Sequence, residues 1–166
     1  MAEALSPALP GPIEERTHAV LREACERQLS LATAESCTGG LLASLLTDVP
    51  GCSHAFERGF VTYTIDAKAE LLGVPRALLD EPGPVSEPVA RAMAEGALKA
   101  SRADIAVSVT GFAGAGDEPG LVHFGCASRY GPTRHREERF GDIGRAAVRL
   151  ACLEVALEMI DRQMRG

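Results

Sequence analysis

Apolar and polar positions along the chain fall into short blocks whose period switches several times. From Ile13 to Leu29, Ala19, Val20, Ala24 and Leu29 recur among Glu and Arg residues, which predicts an amphipathic helix. Leu31-Ala32-Thr33-Ala34 is a short strand candidate made mostly of small apolar residues. It runs through Glu35-Ser36-Cys37-Thr38-Gly39-Gly40 into an apolar helical pattern over Leu41 to Leu46, which Val49-Pro50-Gly51 ends. Phe56 to Tyr63 holds the best strand formers of the chain, Phe60, Val61, Thr62 and Tyr63. Asp66 is placed to cap a helix beginning at Ala67 and closed by Gly73 and Pro75, with a further short turn of helix through Leu79.

The second half reads in the same way. Ser86, after the Pro82-Gly83-Pro84 loop, is a ready N-cap for a helix from Glu87 to about Lys99. Ile105 to Thr110 predicts a strand that leads into a glycine-rich loop, Gly111 to Gly116. Leu121–Ser128 and Arg134–Phe140 pair as antiparallel strands around Gly131-Pro132. A terminal helix follows from about Ile143 to Met164, its apolar face running through Ala147, Leu150, Ala151, Val155 and Leu157. Helices and strands alternate early and a hairpin comes late. The expectation is one layered α/β domain over residues 13–166, a mixed sheet covered by helices, after a loose arm at 1–12 rich in proline.

Composition narrows the chemistry. With 166 residues, 46% of them hydrophobic and 24% charged, the chain can bury roughly 70% of the surface it exposes unfolded. A net charge of −6 argues against nucleic acid and anionic membranes as partners. Arg134, Arg136 and Arg139 read as the solvent side of a strand rather than a basic patch. No apolar run approaches a membrane span, and the N-terminus lacks a secretory pattern, so a cytoplasmic location is expected. Five scattered cysteines without a C-x-x-C pair argue against a disulfide framework, and they read as small buried apolar residues. Four histidines far apart in sequence give no metal-ligand spacing, and no metal site is expected.

Of the 17 basic residues only Lys68 and Lys99 are lysines, and Tyr63 and Tyr130 are the only tyrosines. Lys68 falls in the first turn of its helix, where dipole and burial both lower the pKa of an amine, as a lysine base requires. Arginine cannot do this because its guanidinium stays protonated. Tyr63, at the preceding strand end, is placed to pass a proton or hold a hydroxyl; the plainer alternative is a solvated lysine and a rim tyrosine. The Glu35–Gly40 segment carries a second chemistry. Helix-end amides favour an anion or a developing oxyanion, and Ser36 or Cys37 can serve as nucleophile, against the alternative of an ordinary capped helix. The Gly111–Gly116 loop and the helix start at Ser86 offer further backbone amides, although tight-turn glycines explain the loop as well.

Taken jointly, Thr33-Ala34-Glu35-Ser36-Cys37-Thr38-Gly39-Gly40, Phe56-Glu57-Arg58-Gly59-Phe60-Val61-Thr62-Tyr63, Ala67-Lys68-Ala69, Leu72-Gly73-Val74, Val85-Ser86-Glu87-Pro88-Val89 and Thr110-Gly111-Phe112-Ala113-Gly114 form a specific order. In this order the chain resembles, over about 13–163, the C-terminal domain family of the competence/damage-inducible protein CinA. Its stand-alone members are nicotinamide-nucleotide amidohydrolases. The resemblance implies an amidase without metal or other cofactor that converts nicotinamide mononucleotide and water to nicotinate mononucleotide and ammonia. It implies Ser36 as nucleophile, Lys68 as general base and Tyr63 assisting proton transfer. Amides around Cys37, Thr38, Gly39 and Gly40 would hold the oxyanion and substrate. Ser86, Gly111, Gly114 and Arg145 become candidates for contacting the nucleotide, with Arg145 on its phosphate. A homo-oligomer is also implied.

Two departures stand out. Ile65 occupies a position where relatives usually carry Asn, and Glu118-Pro119-Gly120 stands where Lys-Pro-Val-Gly would fall, reversing a charge in a loop expected to face an anionic nucleotide. They keep two alternatives open: a nucleotide-binding module without turnover, and an amidase for a different amide.

Overall fold

A computed structural model describes residues 9–166. Residues 1–8 of the expected arm lie outside the described residues, while Gly11 and Pro12 open the first helix instead of extending the arm. The elements run α1 (Gly11–Glu26), β1 (Leu31–Glu35), α2 (Leu41–Leu45), a 3-10 turn (Ser53–Ala55), β2 (Phe56–Val61), α3 (Ile65–Leu72), α4 (Arg76–Asp80), α5 (Glu87–Lys99), β3 (Ile105–Gly111), β4 (Leu121–Ser128), β5 (Gly131–Arg139) and α6 (Arg145–Arg165). The strands form one sheet in the order β2-β1-β3-β4-β5. β1 pairs in parallel with β2 and β3, and the β3–β4 and β4–β5 pairs are antiparallel.

Side-chain size assigns the two faces. Leu31, Ile105, Val107, Val109, Val122, Phe124 and Cys126 pack with α1, α2 and α6, whereas Ala32, Ala34 and Ala106 face α3, α4 and α5. The small residues let α5 sit close to the sheet. A Cβ at Gly125 would collide with the Ala90 carbonyl, to which Ser108 Oγ donates a 2.6 Å bond. α5 holds α3 by the same device, since a Cβ at Gly96 would occupy the position of the Leu72 carbonyl. In this way the sheet fixes the helix that carries Lys68.

The connection β1-α2-β2 lies on one face and β2-α3-α4-α5-β3 on the other, so the order reverses at β1. Ligands of open α/β sheets bind beyond the carboxyl ends of the strands at such a reversal. Here the segments after β1, β2 and β3 gather.

Several expectations change in detail. α1 buries Ile13, Thr17, Val20, Leu21 and Ala24 and leaves Ala19 exposed. β2 ends at Val61, before Tyr63. The cap of α3 is Thr64, whose Oγ1 accepts from the Ala67 amide at 3.1 Å; Asp66 pairs with Arg76 at 2.7 Å instead. β5 starts at Gly131, because the hairpin turn is shorter than the Gly-Pro pair suggests. α6 buries Val148, Cys152, Leu153 and Ala156 rather than Ala147, which is exposed at the open end of the helix.

Candidate active site

Glu35 ends β1 as a fully buried carboxylate, and it organises the turn into α2. Its two oxygens accept from the amides of Leu42 (2.8 Å) and Ala43 (2.9 Å), closing the start of α2 with a charge-assisted cap. The Gly39 amide bonds Ser36 O and the Leu41 amide bonds Thr38 O, which uses two more donors. The helix end expected to face a substrate anion is therefore occupied from within. The loop amides of Cys37 and Thr38 remain without a backbone acceptor. Positive φ at Gly39 and Gly40 allows this tight path.

Ser36 lies at the end of this turn, 7% exposed, with its amide bonded to Val109 O. Lys68 approaches from α3 and is only 2% exposed. Its Nζ is 2.9 Å from Ser36 Oγ, 2.7 Å from Thr62 O and 3.3 Å from Tyr63 O. Burial lowers its pKa to about 8, a drop that interaction with Cys37 partly opposes. The geometry has a direct chemical reading. A neutral amine keeps two N–H groups and one lone pair. The two carbonyls take the N–H groups, which leaves the lone pair for the Ser36 hydroxyl.

Both groups open onto a cavity of about 320 Å³ between the β1, β2 and β3 loops. Cys37, Tyr63, Gly111, Gly114 and Arg145 line it with them, so the fold brings these seven sequence-predicted residues together. A Cβ at Gly114 would press on the Arg145 guanidinium, which would have to shift. Lys68 and Arg145 are the charged residues of the lining, and no carboxylate joins them. Tyr63 is 67% exposed at the rim, with Ile65 and Phe112 beside it as exposed apolar groups.

Thr38, Gly39, Gly40 and Ser86 are placed otherwise. Thr38 is fully buried, and Gly39 and Gly40 turn the chain outside the cavity lining. Ser86 stands at the head of α5, but its hydroxyl donates to Gly83 O at 2.8 Å. Its neighbours Pro84 and Val85 form the wall in its place. Glu118 is not in the lining either; it lies 3.7 Å from Arg139, so the reversed charge meets a cation of the protein's own. His54 sits before β2, at the opposite end of the sheet. Among the described residues no cluster of three or more His, Cys, Asp or Glu could hold a metal ion, and no helix is long and apolar enough to cross a membrane.

Sequence reasoning did not single out two residues of this site. Glu35 caps α2 from outside the usual capping position, and its only sequence signal is a carboxylate closing an apolar strand. Arg149, from α6, donates from Nη2 to Thr38 O at 3.2 Å and clasps the loop from behind. Nothing local in the sequence announces that contact.

A model described as the CinA C-terminal domain matches residues 13–164. The chain is 48% identical over 143 residues to nicotinamide-nucleotide amidohydrolase PncC of Escherichia coli, covering 82% of this chain and 86% of that protein. It is 54% identical over 121 residues to a CinA-like protein of Akkermansia muciniphila, covering 70% of this chain and 29% of that protein. The chain thus spans less than a third of the length of such curated CinA relatives. The crystal structure of competence/damage inducible protein CihA from Agrobacterium tumefaciens superposes with a TM-score of 0.91 at 46% identity, over 95% of this chain and 98% of that one. By sequence and by fold, the chain belongs to the CinA C-terminal domain family.

Proposed function

We propose that the protein is a serine amidohydrolase that converts nicotinamide mononucleotide to nicotinate mononucleotide and ammonia. The observation that carries this reading is the 2.9 Å approach of Lys68 Nζ to Ser36 Oγ at a cavity that also holds Arg145 and no carboxylate. The similarity to the Escherichia coli amidohydrolase supports the substrate.

In this mechanism neutral Lys68 takes the Ser36 proton as Oγ attacks the carboxamide carbon. The oxyanion is received by the Cys37 amide, left without a backbone acceptor by the loop. Lys68 returns the proton to the departing nitrogen, which leaves as ammonia and yields an acyl ester on Ser36. Water, deprotonated by the same amine, then releases nicotinate mononucleotide. The Tyr63 carbonyl helps hold Lys68, and its side chain at the rim closes over the substrate and assists the proton transfer. Arg145 receives the phosphate, with the Gly111 and Gly114 backbone beside it.

Purified protein incubated with nicotinamide mononucleotide is expected to release ammonia and nicotinate mononucleotide in equal amounts, and Ser36→Ala to abolish both. Equal release by wild type and S36A would overturn the reading. Saturable binding without product would establish the non-catalytic alternative instead, and turnover of another amide alone would establish the other.

A further inference from the structure

The peptide groups of the nucleophile loop are joined into a chain that begins on α6. Arg149 donates from Nη2 to Thr38 O at 3.2 Å, and the same oxygen accepts from the Leu41 amide at 3.0 Å. Thr38 O belongs to the same planar peptide as the Gly39 N–H, and that N–H donates to Ser36 O at 3.1 Å. Ser36 O in turn shares its peptide with the Cys37 N–H, which has no backbone acceptor. Two rigid planes joined by hydrogen bonds therefore lead from the Arg149 guanidinium to the open amide of Cys37, a residue of the cavity lining.

We propose that Arg149 is a positioning residue for hydrolysis, which through this chain of peptides orients and strengthens the Cys37 amide as donor to the oxyanion. The inference rests on the serine-amidase reading above, which places the oxyanion at that amide. Every hydrogen bond of the chain runs from donor to acceptor in the same direction. A cation at its start polarises the Thr38–Gly39 peptide toward Thr38 O and makes the Gly39 N–H a stronger donor. Ser36 O then receives a stronger bond, and the Cys37 N–H of the same peptide becomes a stronger donor in its turn. The charge-assisted bond from Arg149 also fixes the tilt of the first plane, and the Gly39–Ser36 bond passes that tilt to the second. As negative charge develops on the substrate oxygen, a guanidinium that never touches it contributes to its stabilisation.

A second observation shows that the guanidinium is kept here at a cost. Nε of Arg149 is buried with no hydrogen-bond partner among the described residues, whereas an apolar side chain of similar length would leave no donor unsatisfied. Stability alone does not call for an arginine at this position. Arg145, one turn earlier on α6, lines the cavity, so the helix supplies one arginine to the ligand side and one to the back of the nucleophile loop.

The test compares the full-length wild type with Arg149→Met and Arg149→Lys on nicotinamide mononucleotide and on thionicotinamide mononucleotide, whose sulfur accepts hydrogen bonds poorly. Arg149→Met is expected to lower kcat on the amide about tenfold or more, short of the roughly hundredfold loss of an oxyanion donor itself, with KM within about twofold. On the thioamide, which makes little use of the donor, kcat should fall about threefold or less. Arg149→Lys restores a charged donor and is expected to recover part of the kcat. If Arg149→Met does not fold, Arg149→Gln offers a neutral donor and should show the same split. Equal losses on amide and thioamide, or a loss confined to KM, overturn the proposal. One readout needs no turnover: in the resting protein the Gly39 amide proton resonance should move upfield in Arg149→Met as its bond to Ser36 O weakens. An unmoved resonance overturns the proposal. A moved resonance in a protein whose wild type is inactive toward the nucleotide upholds the chain of peptides and counts against the serine-amidase reading alone.

Discussion

The cavity and the β5 edge both concentrate charge on the same sheet, and they treat it in opposite ways. Along β5, Arg136, Glu137, Glu138 and Arg139 find partners within the protein. Arg136 bonds Glu138 and, at 2.7 Å, Glu158; Arg139 reaches Glu137 at 2.7 Å and Glu118 at 3.7 Å. His123 and His135 stack with ring nitrogens 3.0 Å apart, between Glu87 and Glu137. At the cavity, Lys68 and Arg145 make no ion pair among the described residues, and the one buried carboxylate nearby, Glu35, is spent on amides of α2. Charges that satisfy one another stabilise an edge strand and discourage pairing with another chain. Here Lys68 is held by the Thr62 and Tyr63 carbonyls without a counter-ion and Arg145 is exposed, so neither charge is used up within the protein.

The largest expected effect comes from removing the proposed amine base, Lys68. Lys68→Arg keeps the charge and cannot be deprotonated, so kcat is expected to fall about a thousandfold or more, within the range general bases contribute together with positioning. A Lys68→Arg enzyme with near-normal kcat would erase the distinction between the two charged regions. In the wild type, kcat/KM should rise with pH through an inflection near 8, where burial places the Lys68 pKa, because only the neutral amine accepts the serine proton. The stability sign agrees: the unfolded chain keeps this proton up to about 10.5 while the folded protein releases it from about 8, so stability gains as pH rises across that window.

Next in size is Glu35→Gln. It replaces one acceptor oxygen by an amide that opposes an N–H of α2, and unfolding experiments should show a loss of about 2 kcal/mol. Because the nucleophile loop loosens, kcat should fall more than KM rises. Arg145→Gln should do the reverse, raising KM about tenfold, a loss of about 1.4 kcal/mol in charge-assisted contact, with kcat nearly unchanged. The smallest effect is expected at the edge. Arg136→Gln breaks half-exposed pairs worth under about 1 kcal/mol, and steady-state kinetics should not move. A kinetic effect there as large as that of Arg145→Gln would mean that the edge also serves the cavity.

Much of the site was legible before any fold was known because its chemistry is local. Glu35 to Gly40, Tyr63 to Lys68 and Gly111 to Gly114 each follow a strand, and each lies at the carboxyl end of one. The scarcity of lysine made Lys68 nearly the only available amine base. What stayed hidden depended on approach in space. The Glu35 cap spans seven and eight residues, and Arg149 reaches Thr38 across 111. The capping residue of α3 was misplaced because Thr64 and Asp66 are both competent caps, and the choice depends on where Val61 leaves the sheet.

By itself the sequence determined the alternation of elements, the layered α/β class and the identity of the serine, lysine and glycine segments, since backbone periodicity and residue chemistry act over a few positions. Only the tertiary structure decided that they form one site. α5 packs tightly on the sheet through Gly125 and on α3 through Gly96, and this delivers Lys68 to Ser36. Only the fold, too, occupied the start of α2 with Glu35 and turned Glu118 toward Arg139. Such choices come from packing and from the cost of burying an unpaired charge, and neither is written in any short stretch of residues.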